Sequence, residues 1–311
     1  MKSRRDFIKT LLATGAAVGL SSTPLGAFAS NENGMIKITI LHTNDTHSHI
    51  DPFPDNDPRF PGMGGFARRA SLVKKIRSEE KNVLLLDAGD VFQGSPYFNM
   101  YDGEVEFKLM SEMKYDAMTI GNHEFDNGLE GIATQLQNAR FPLISSNYDF
   151  SDTVLAGKIL PYKIFVLDGA IIGVFGLGIE LEGLVSKKNY GDTRYLDPMV
   201  KAAETARLLK KDLNCDLVIC LSHLGCSYKD QKISDVRMSK QSKNIDLIIG
   251  GHTHTFIDQP YVFRNSDNKE IIVAQVGWGG IKLGRIDYYL VKRSGVKFAD
   301  AHTIKIEKNK G

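Results

Sequence analysis

Gly121-Asn122-His123-Glu124-Phe125-Asp126 follows an apolar run, residues 115–120, that reads as a buried strand. In an open α/β sheet, ligands gather where strands hand over to loops, and a glycine there lets the backbone turn so that Asn122 and His123 face outward. Four other stretches have the same build. Residues 36–42 run into Asp45-Thr46-His47, residues 83–86 into Asp87-Ala88-Gly89-Asp90, residues 217–221 into His223, and residues 245–249 into Gly250-Gly251-His252-Thr253-His254. One strand-end Asn-His is an ordinary turn. Repeated at five strand ends, Asp, Asn and His become a set of metal-type ligands at equivalent positions. Beyond His254 the chain continues with β-type runs around residues 261–263, 270–276, 282–291 and 296–305, the last two joined by Ser294-Gly295. Alternating β and α segments followed by a run of β predict an α/β fold of two stacked sheets with helices outside, in one domain.

The intervening segments are placed by pattern. Residues 51–65, rich in Pro, Asp and Gly, read as a loop lying over the strand ends. Residues 66–79 read as a helix with Ala67, Ala70, Leu72, Val73 and Ile76 inward and Arg68, Arg69, Lys74 and Lys75 on the wetter side. Further helices are expected over 104–113, 129–139 and 198–214, and a strand over 142–147. Asp168-Gly169 between two β-rich runs signals a hairpin. Gly89-Asp90 reads as a turn at the sheet edge with an exposed Asp90 carboxylate.

At the N-terminus, Ser3-Arg4-Arg5-Asp6-Phe7-Ile8-Lys9 resembles a twin-arginine export signal, followed by an apolar stretch over 11–20 and by Ala27-Phe28-Ala29. Residues 1–29 are expected to be a signal peptide cleaved after Ala29, leaving residues 30–311 as the catalytic domain, periplasmic or secreted and without a membrane anchor. The apolar stretch is interrupted by Gly15 and Gly19 and is short for a bilayer core of about 30 Å. Twin-arginine transport carries folded proteins, which suits a metal site filled before export. Cleavage removes Lys2, Arg4, Arg5 and Lys9 against Asp6, turning the net charge of +2 into −1. That balance carries no footprint for nucleic acid or anionic membrane. Cys215, Cys220 and Cys226 lack a C-x-x-C spacing and read as free thiols, Cys220 as a small buried hydrophobe, in preference to a Cys220–Cys226 disulfide.

The strand-end residues divide into two adjoining ion sites. Asp45 and His47, two apart, can converge on one ion; Asp90 has two oxygens and can bridge two; Asn122 offers a neutral amide oxygen; His223, His252 and His254 offer ring nitrogens. Two divalent ions, two carboxylates and a bridging hydroxide leave a core of about +1, suited to a phosphate dianion. Two ions about 3.5–4 Å apart acidify a bridging water and clamp phosphoryl oxygens in an in-line displacement. His123, with Asp126 three residues on to orient its ring, can meet a phosphoryl oxygen or help the leaving group. His42 and His49 read as core or supporting histidines and His302 as a surface one.

Thr43-Asn44-Asp45-x-His47, Gly89-Asp90, Gly121–Asp126, Ser222-His223 and Gly251-His252-x-His254 resemble the five blocks of the calcineurin-like metallophosphatases. Leu41-His42-Thr43-Asn44-Asp45 and the run from Gly121 to Asn127 are similar to its 5'-nucleotidase branch, which includes periplasmic UDP-sugar hydrolases. The resemblance implies a four-layer αββα sandwich of two mixed sheets flanked by helices. It implies that Asp45, His47, Asp90 and His254 hold one divalent ion and Asp90, Asn122, His223 and His252 the other, with His123 and Asp126 as a catalytic dyad. Zn, Mn or Fe are the ions implied, with Mg, Co or Ca as alternatives. Some nucleotidases of this branch have Gln where this chain has His254, a change that bears on metal preference. The family's C-terminal domain, which binds the nucleoside, has no counterpart before Gly311. A separately encoded nucleoside-binding partner is therefore expected, docking near loops 51–65 and 180–196. The implied substrate is a nucleotide phosphomonoester; alternatives are a cyclic-nucleotide diester, a UDP-sugar or a sulfur ester, and, from another class, a non-catalytic metal-binding subunit.

Overall fold

Strand β1 (Met35–Thr43) alternates its burial partners: Ile36, Ile38 and Ile40 join one apolar cluster while Leu41 joins another. A strand buried on both faces needs a sheet or helix layer on each side. The computed structural model describes residues 35–291 and 297–308, so the export signal and the Ser294-Gly295 turn lie outside the described residues. In the first sheet β1 runs parallel to β2 (Val83–Asp87), β2 to β3 (Ala117–Thr119), and β3 to β4 (Leu143–Ile144). The small antiparallel pair β5 (Tyr148–Asp149) and β8 (Arg194–Tyr195) lies outside both large sheets.

The expected hairpin is present as β6 (Tyr162–Leu167) and β7 (Ala170–Leu177), turning at Asp168-Gly169. β7 lies parallel to β9 (Leu217–Ser222), which pairs parallel with β10 (Leu247–Gly250). The edge strand β11 (Tyr261–Arg264) runs antiparallel to β12 (Glu270–Ala274), giving the order β11-β12-β10-β9-β7-β6. β13 (Lys282–Val291) and β14 (Lys297–Lys305), antiparallel to each other, return to the first sheet and complete its order as β14-β13-β1-β2-β3-β4.

Period-2 alternation sorts the layers. Ile38, Leu84, Leu86, Leu217, Ile219, Leu247, Ile249 and Ile272 form the cluster between the two sheets. Leu85 and Met118 face the opposite way, onto α1 (Phe66–Glu79), α2 (Pro96–Tyr101), α3 (Glu104–Glu112) and α4 (Gly128–Gln135); the short α5 (Lys187–Tyr190) sits beside α4. Val218, Cys220, Ile248, Ile271 and Val273 face α6 (Pro198–Arg207) and α7 (Asp235–Gln241). The chain is thus a helix–sheet–sheet–helix sandwich, as expected.

Two helical details differ from expectation. In α1 the buried stripe is Phe66, Arg69, Val73 and Ile76, so Arg69 is not on the wet face. Its three-residue spacing from Phe66 turns it inward, and its guanidinium stacks 4.0 Å over the Phe66 ring. The helix begun by α6 changes to a five-residue π turn at Leu208–Asp212 and stops before Asn214, which is left-handed at φ 53°. The short α2 and α7, which the apolar pattern does not show, start at Ser95 and Ser234, whose hydroxyls accept the Tyr97 and Arg237 amides.

Registers set the stage for the site. Thr43 pairs with Asp87 and Ser222 with Gly250, so the last residues of β1 and β2, and of β9 and β10, stand level. The loops that follow start side by side.

Candidate metal centre

The loops after β1, β2, β3, β9 and β10 converge through backbone-to-backbone contact. A side chain on Gly89 would meet the Gly121 nitrogen at 2.7 Å, and one on Gly121 would meet Asp90 Oδ1 at 2.3 Å, so only glycine fits where these two loops touch. Asp45, His47, Asp90, His252 and His254 all adopt left-handed backbones, with φ of 48°, 47°, 56°, 68° and 51°. Each such turn costs on the order of 1 kcal/mol or more, and such strain gathers at functional sites. Hydrogen bonds hold the turns: Asp45 N to Gly89 O at 2.9 Å, His47 N to Asp90 O at 3.1 Å, and His252 N to Asp45 Oδ1 at 2.9 Å.

Two groups of ligand atoms result. Asp45, His47 and His254 form one, Asp90, His223 and His252 the other, with ligand atoms in each within 4.8 Å of one another. In the first, His47 Nε2 faces His254 Nε2 at 2.9 Å and His254 Nε2 lies 3.4 Å from Asp45 Oδ1. In the second, His223 Nε2 lies 2.9 Å from Asp90 Oδ2, and His252 Nδ1 meets Asn122 Oδ1 at 2.9 Å, which brings Asn122 to this group. The supporting contacts select the tautomers. His223 Nδ1 hydrogen-bonds the Ala88 carbonyl at 2.7 Å and His47 Nδ1 the Phe92 carbonyl at 3.3 Å, leaving Nε2 of each ring as the ligand atom.

These residues fit divalent cations. His223 Nε2 is buried and, although close to Asp90, lacks an aligned hydrogen-bond partner, and two imidazole nitrogens face each other across 2.9 Å. Both features are costly unless a cation lies between the donors. Charge agrees. Burial opposes a charged His223 ring, yet Asp90 and Asp45 raise it to about 10, so this pocket draws a cation. Burial lowers His47, and burial with the neighbouring His223 lowers His252 to about 4, which keeps both rings neutral.

Asp90 corrects the expectation of an exposed turn carboxylate: it is 1% exposed. The turn folds inward because Oδ1 accepts the His123 amide at 2.8 Å and the Asp90 amide donates to Glu124 Oε2 at 3.0 Å. His123 Nδ1 lies 2.8 Å from Asp126 Oδ2, and its ring stands 5.2 Å from His47. Burial works against a charged His123, but the Asp126 hydrogen bond and the Asp90 charge outweigh it and raise the ring to about 9. The pair is partly open, with side chains 33% and 31% exposed. His42 is a core histidine, His49 packs on Phe53, His302 is half-buried on β14, and the three cysteines are free and buried.

Sequence reasoning missed two parts of the site. One is Glu124, inside the central hexapeptide but given no role; it is buried among backbone amides. The other is an aromatic wall. Trp278 stacks on His254 at 5.8 Å and 14°, Phe53 and Phe60 meet Trp278 edge-on, and Phe60 lies 5.8 Å from Phe256, which is 37% exposed. Phe53 and Phe60 belong to loop 51–65, so that loop does border the strand ends, at the His254 side. The Trp278 loop is tied to the ligand loop by Val276 N to Asn44 Oδ1 at 2.9 Å and Gly279 N to Asp45 O at 2.7 Å.

Residues 38–256 match the family described as calcineurin-like phosphoesterase. The chain is 32% identical over 298 residues to a snake venom 5'-nucleotidase of Crotalus adamanteus, covering 89% of this chain and 49% of that protein. It is 31% identical over 293 residues to the 5'-nucleotidase of Homo sapiens, covering 88% of this chain and 50% of that one. Among solved structures, the 5'-nucleotidase precursor of Thermus thermophilus superposes with a TM-score of 0.78 at 31% identity, covering 87% of this chain and 55% of that one. The chain therefore spans about half the length of these relatives.

Proposed function

The chain belongs to the calcineurin-like phosphoesterase family of metal-dependent phosphoric ester hydrolases, and from that premise we propose that it is an exported enzyme hydrolysing nucleotide phosphomonoesters. The reading rests on two adjoining groups of ligand atoms at the ends of strands from both sheets. Asp45, His47, Asp90 and His254 would hold one divalent ion, and Asp90, Asn122, His223 and His252 the other. When bound, such a pair supplies Lewis-acid charge for a phosphate dianion and lowers the pKa of water.

The chain's own residues do the rest. Asp126 accepts from His123 Nδ1 and leaves Nε2 as the donor toward a phosphoryl or leaving-group oxygen. A ring raised to about 9 is protonated at neutral pH, so it can stabilise developing negative charge and pass a proton to the departing oxygen. The wall of Trp278, Phe60 and Phe256 supports an aromatic leaving group such as a nucleoside. With that wall, the isolated chain's preference for AMP over an aryl phosphate tests the separately encoded partner. A preference above about 100-fold in kcat/KM, roughly 2.7 kcal/mol, means that its own surface recognises the nucleoside and no partner is needed. A panel including cyclic nucleotides, UDP-sugars and sulfur esters separates the remaining substrate classes.

Export is the second part of the proposal, motivated by Arg4-Arg5 and the Ala27-Phe28-Ala29 site. Replacing both arginines with lysine should leave uncleaved precursor in the cytoplasm, while the mature enzyme begins at Ser30. Normal export of the double-lysine form points instead to the general secretory route. Among the described residues no helix is long and apolar enough to cross a membrane.

A further inference from the structure

Glu124 is 1% exposed and makes no contact with solvent or with either group of ligand atoms through hydrogen bonds; its carboxylate is spent on backbone. Oε2 accepts the Gly121 amide at 2.6 Å and the Asp90 amide at 3.0 Å, and Oε1 accepts the Val91 amide at 2.8 Å and the Phe92 amide at 3.4 Å. One side chain therefore joins the loop after β3 to the loop after β2. The connection is reciprocal: Glu124 accepts from the Asp90 backbone, and Asp90 Oδ1 accepts from the His123 backbone at 2.8 Å. With Oδ1 so occupied, Oδ2 is the Asp90 oxygen turned to His223 Nε2, 2.9 Å away.

We propose that Glu124 is a positioning residue for Asp90, fixing its left-handed turn beside Asn122 and His223, so that its loss falls most on the second ion, which takes both Asp90 and Asn122, and less on the first, which shares Asp90 alone. The inference rests on the two-ion reading above. Three features carry it. The Asp90 turn at φ 56° is strained for a residue with a side chain, and the amide it exposes is one that Glu124 holds. The neighbouring glycines leave no side chain to do this work: the Gly89–Gly121 approach brings the loops within backbone contact and Glu124 closes them from behind. Finally, the hydrogen bonds of Glu124 reach the loops that carry Asp90 and Asn122, which supply two ligands to the second group and one to the first; Asp45 and His47, whose amides bond Gly89 O and Asp90 O, are held in addition by Asn44, Gly279 and the Phe92 carbonyl. A buried acid that merely stabilised the fold would serve both ion groups alike. This one bears most on the second, through both Asp90 and Asn122.

The test is a Mn2+ titration of metal-stripped protein, followed by calorimetry and by electron paramagnetic resonance, on the wild type and on Glu124→Gln and Glu124→Asp. Glutamine matches the size but turns an NH2 group toward backbone N–H donors. In Glu124→Gln one Mn2+ should bind 10- to 100-fold more weakly, the loss typical of a supporting partner of a ligand, and the other, which shares only Asp90, should lose clearly less. The spin-coupled signal of a Mn2+ pair should give way to that of an isolated ion. Glu124→Asp keeps the charge and shortens the reach; it should show the same unequal loss to a smaller degree, and it carries the test if the glutamine variant does not fold. Equal weakening of both ions, or wild-type affinity for both in either folded variant, overturns the proposal. A wild type that binds fewer than two Mn2+ breaks the two-ion reading itself and leaves a result distinct from failure of the Glu124 assignment.

Discussion

The two candidate ion groups use the same residue types and the same burial pattern, two buried ligands and one half-buried histidine, and differ at the outer histidine of the first. Asp90 and His223 of the second group sit between loops in backbone contact, their side chains at most 2% exposed, and each is held by a main-chain partner. The first group ends in His254, 39% exposed at its side chain and supported by stacking on Trp278 rather than by a main-chain bond to its ring. Each group thus has two ligands preorganised by the fold, and the first adds in His254 a ligand that opens onto an aromatic wall and loop 51–65. Preorganisation favours tight, slow-exchanging binding, whereas openness favours exchange and contact with substrate.

Asp90→Asn should break this arrangement with the largest effect. It removes half the carboxylate charge from the centre and a ligand proposed to be shared, so metal and activity should fall together, with kcat/KM down well beyond 10²-fold. Two retained ions and near-normal turnover remove Asp90 from the shared role. His123→Asn should keep both ions and lower kcat by roughly 10²–10⁴, as expected for a lost proton donor. Metal loss in that variant makes His123 a ligand instead. His254→Gln sharpens the comparison from the open side: one ion should bind about 10- to 100-fold more weakly while the Asp90 group keeps its own, read by titration of the stripped protein. Loss of both ions shows that the groups are not independent.

The smallest effect concerns a histidine belonging to neither group. His42, three residues before Asp45 on β1, is 1% exposed, packs over Gly284, and has an Nδ1 without a hydrogen-bond partner. Burial lowers it from 6.5 to about 3. A depressed folded-state value means that the unfolded chain takes up a proton the folded chain refuses. Stability is therefore full above pH 6.5 and falls between pH 6.5 and 3, by about 1.4 kcal/mol at pH 5.5. Denaturant titrations of His42→Gln should lack that component of the pH slope; an unchanged slope means that His42 is not the group responsible.

What could be read from the sequence follows from the range of the interactions. Strand-end ligands sit within a few residues of the apolar runs that position them, so Asp45, His47, Asn122, His223, His252 and His254 are visible as pattern, and the hairpin at Asp168-Gly169 is equally local. The burial of Asp90 is set by Glu124 in another loop, and that of Arg69 by helical phase, which places it three residues from Phe66. The aromatic wall joins Phe53 and Phe60 to Phe256 and Trp278, some 200 residues away in the chain, and no local pattern announces that meeting. The weak signal available was the glycine-rich Gly277-Trp278-Gly279-Gly280, a run suited to holding a large ring at a close turn.

Two divalent ions held by these loops are what we propose makes the chain a phosphomonoesterase. Metal analysis of purified residues 30–311, paired with AMP and aryl-phosphate hydrolysis before and after chelation, tests it most directly. Two ions per chain are expected, with hydrolysis that disappears on stripping and returns when divalent ions are restored. One ion or none under saturating metal, or hydrolysis that survives complete stripping, contradicts it.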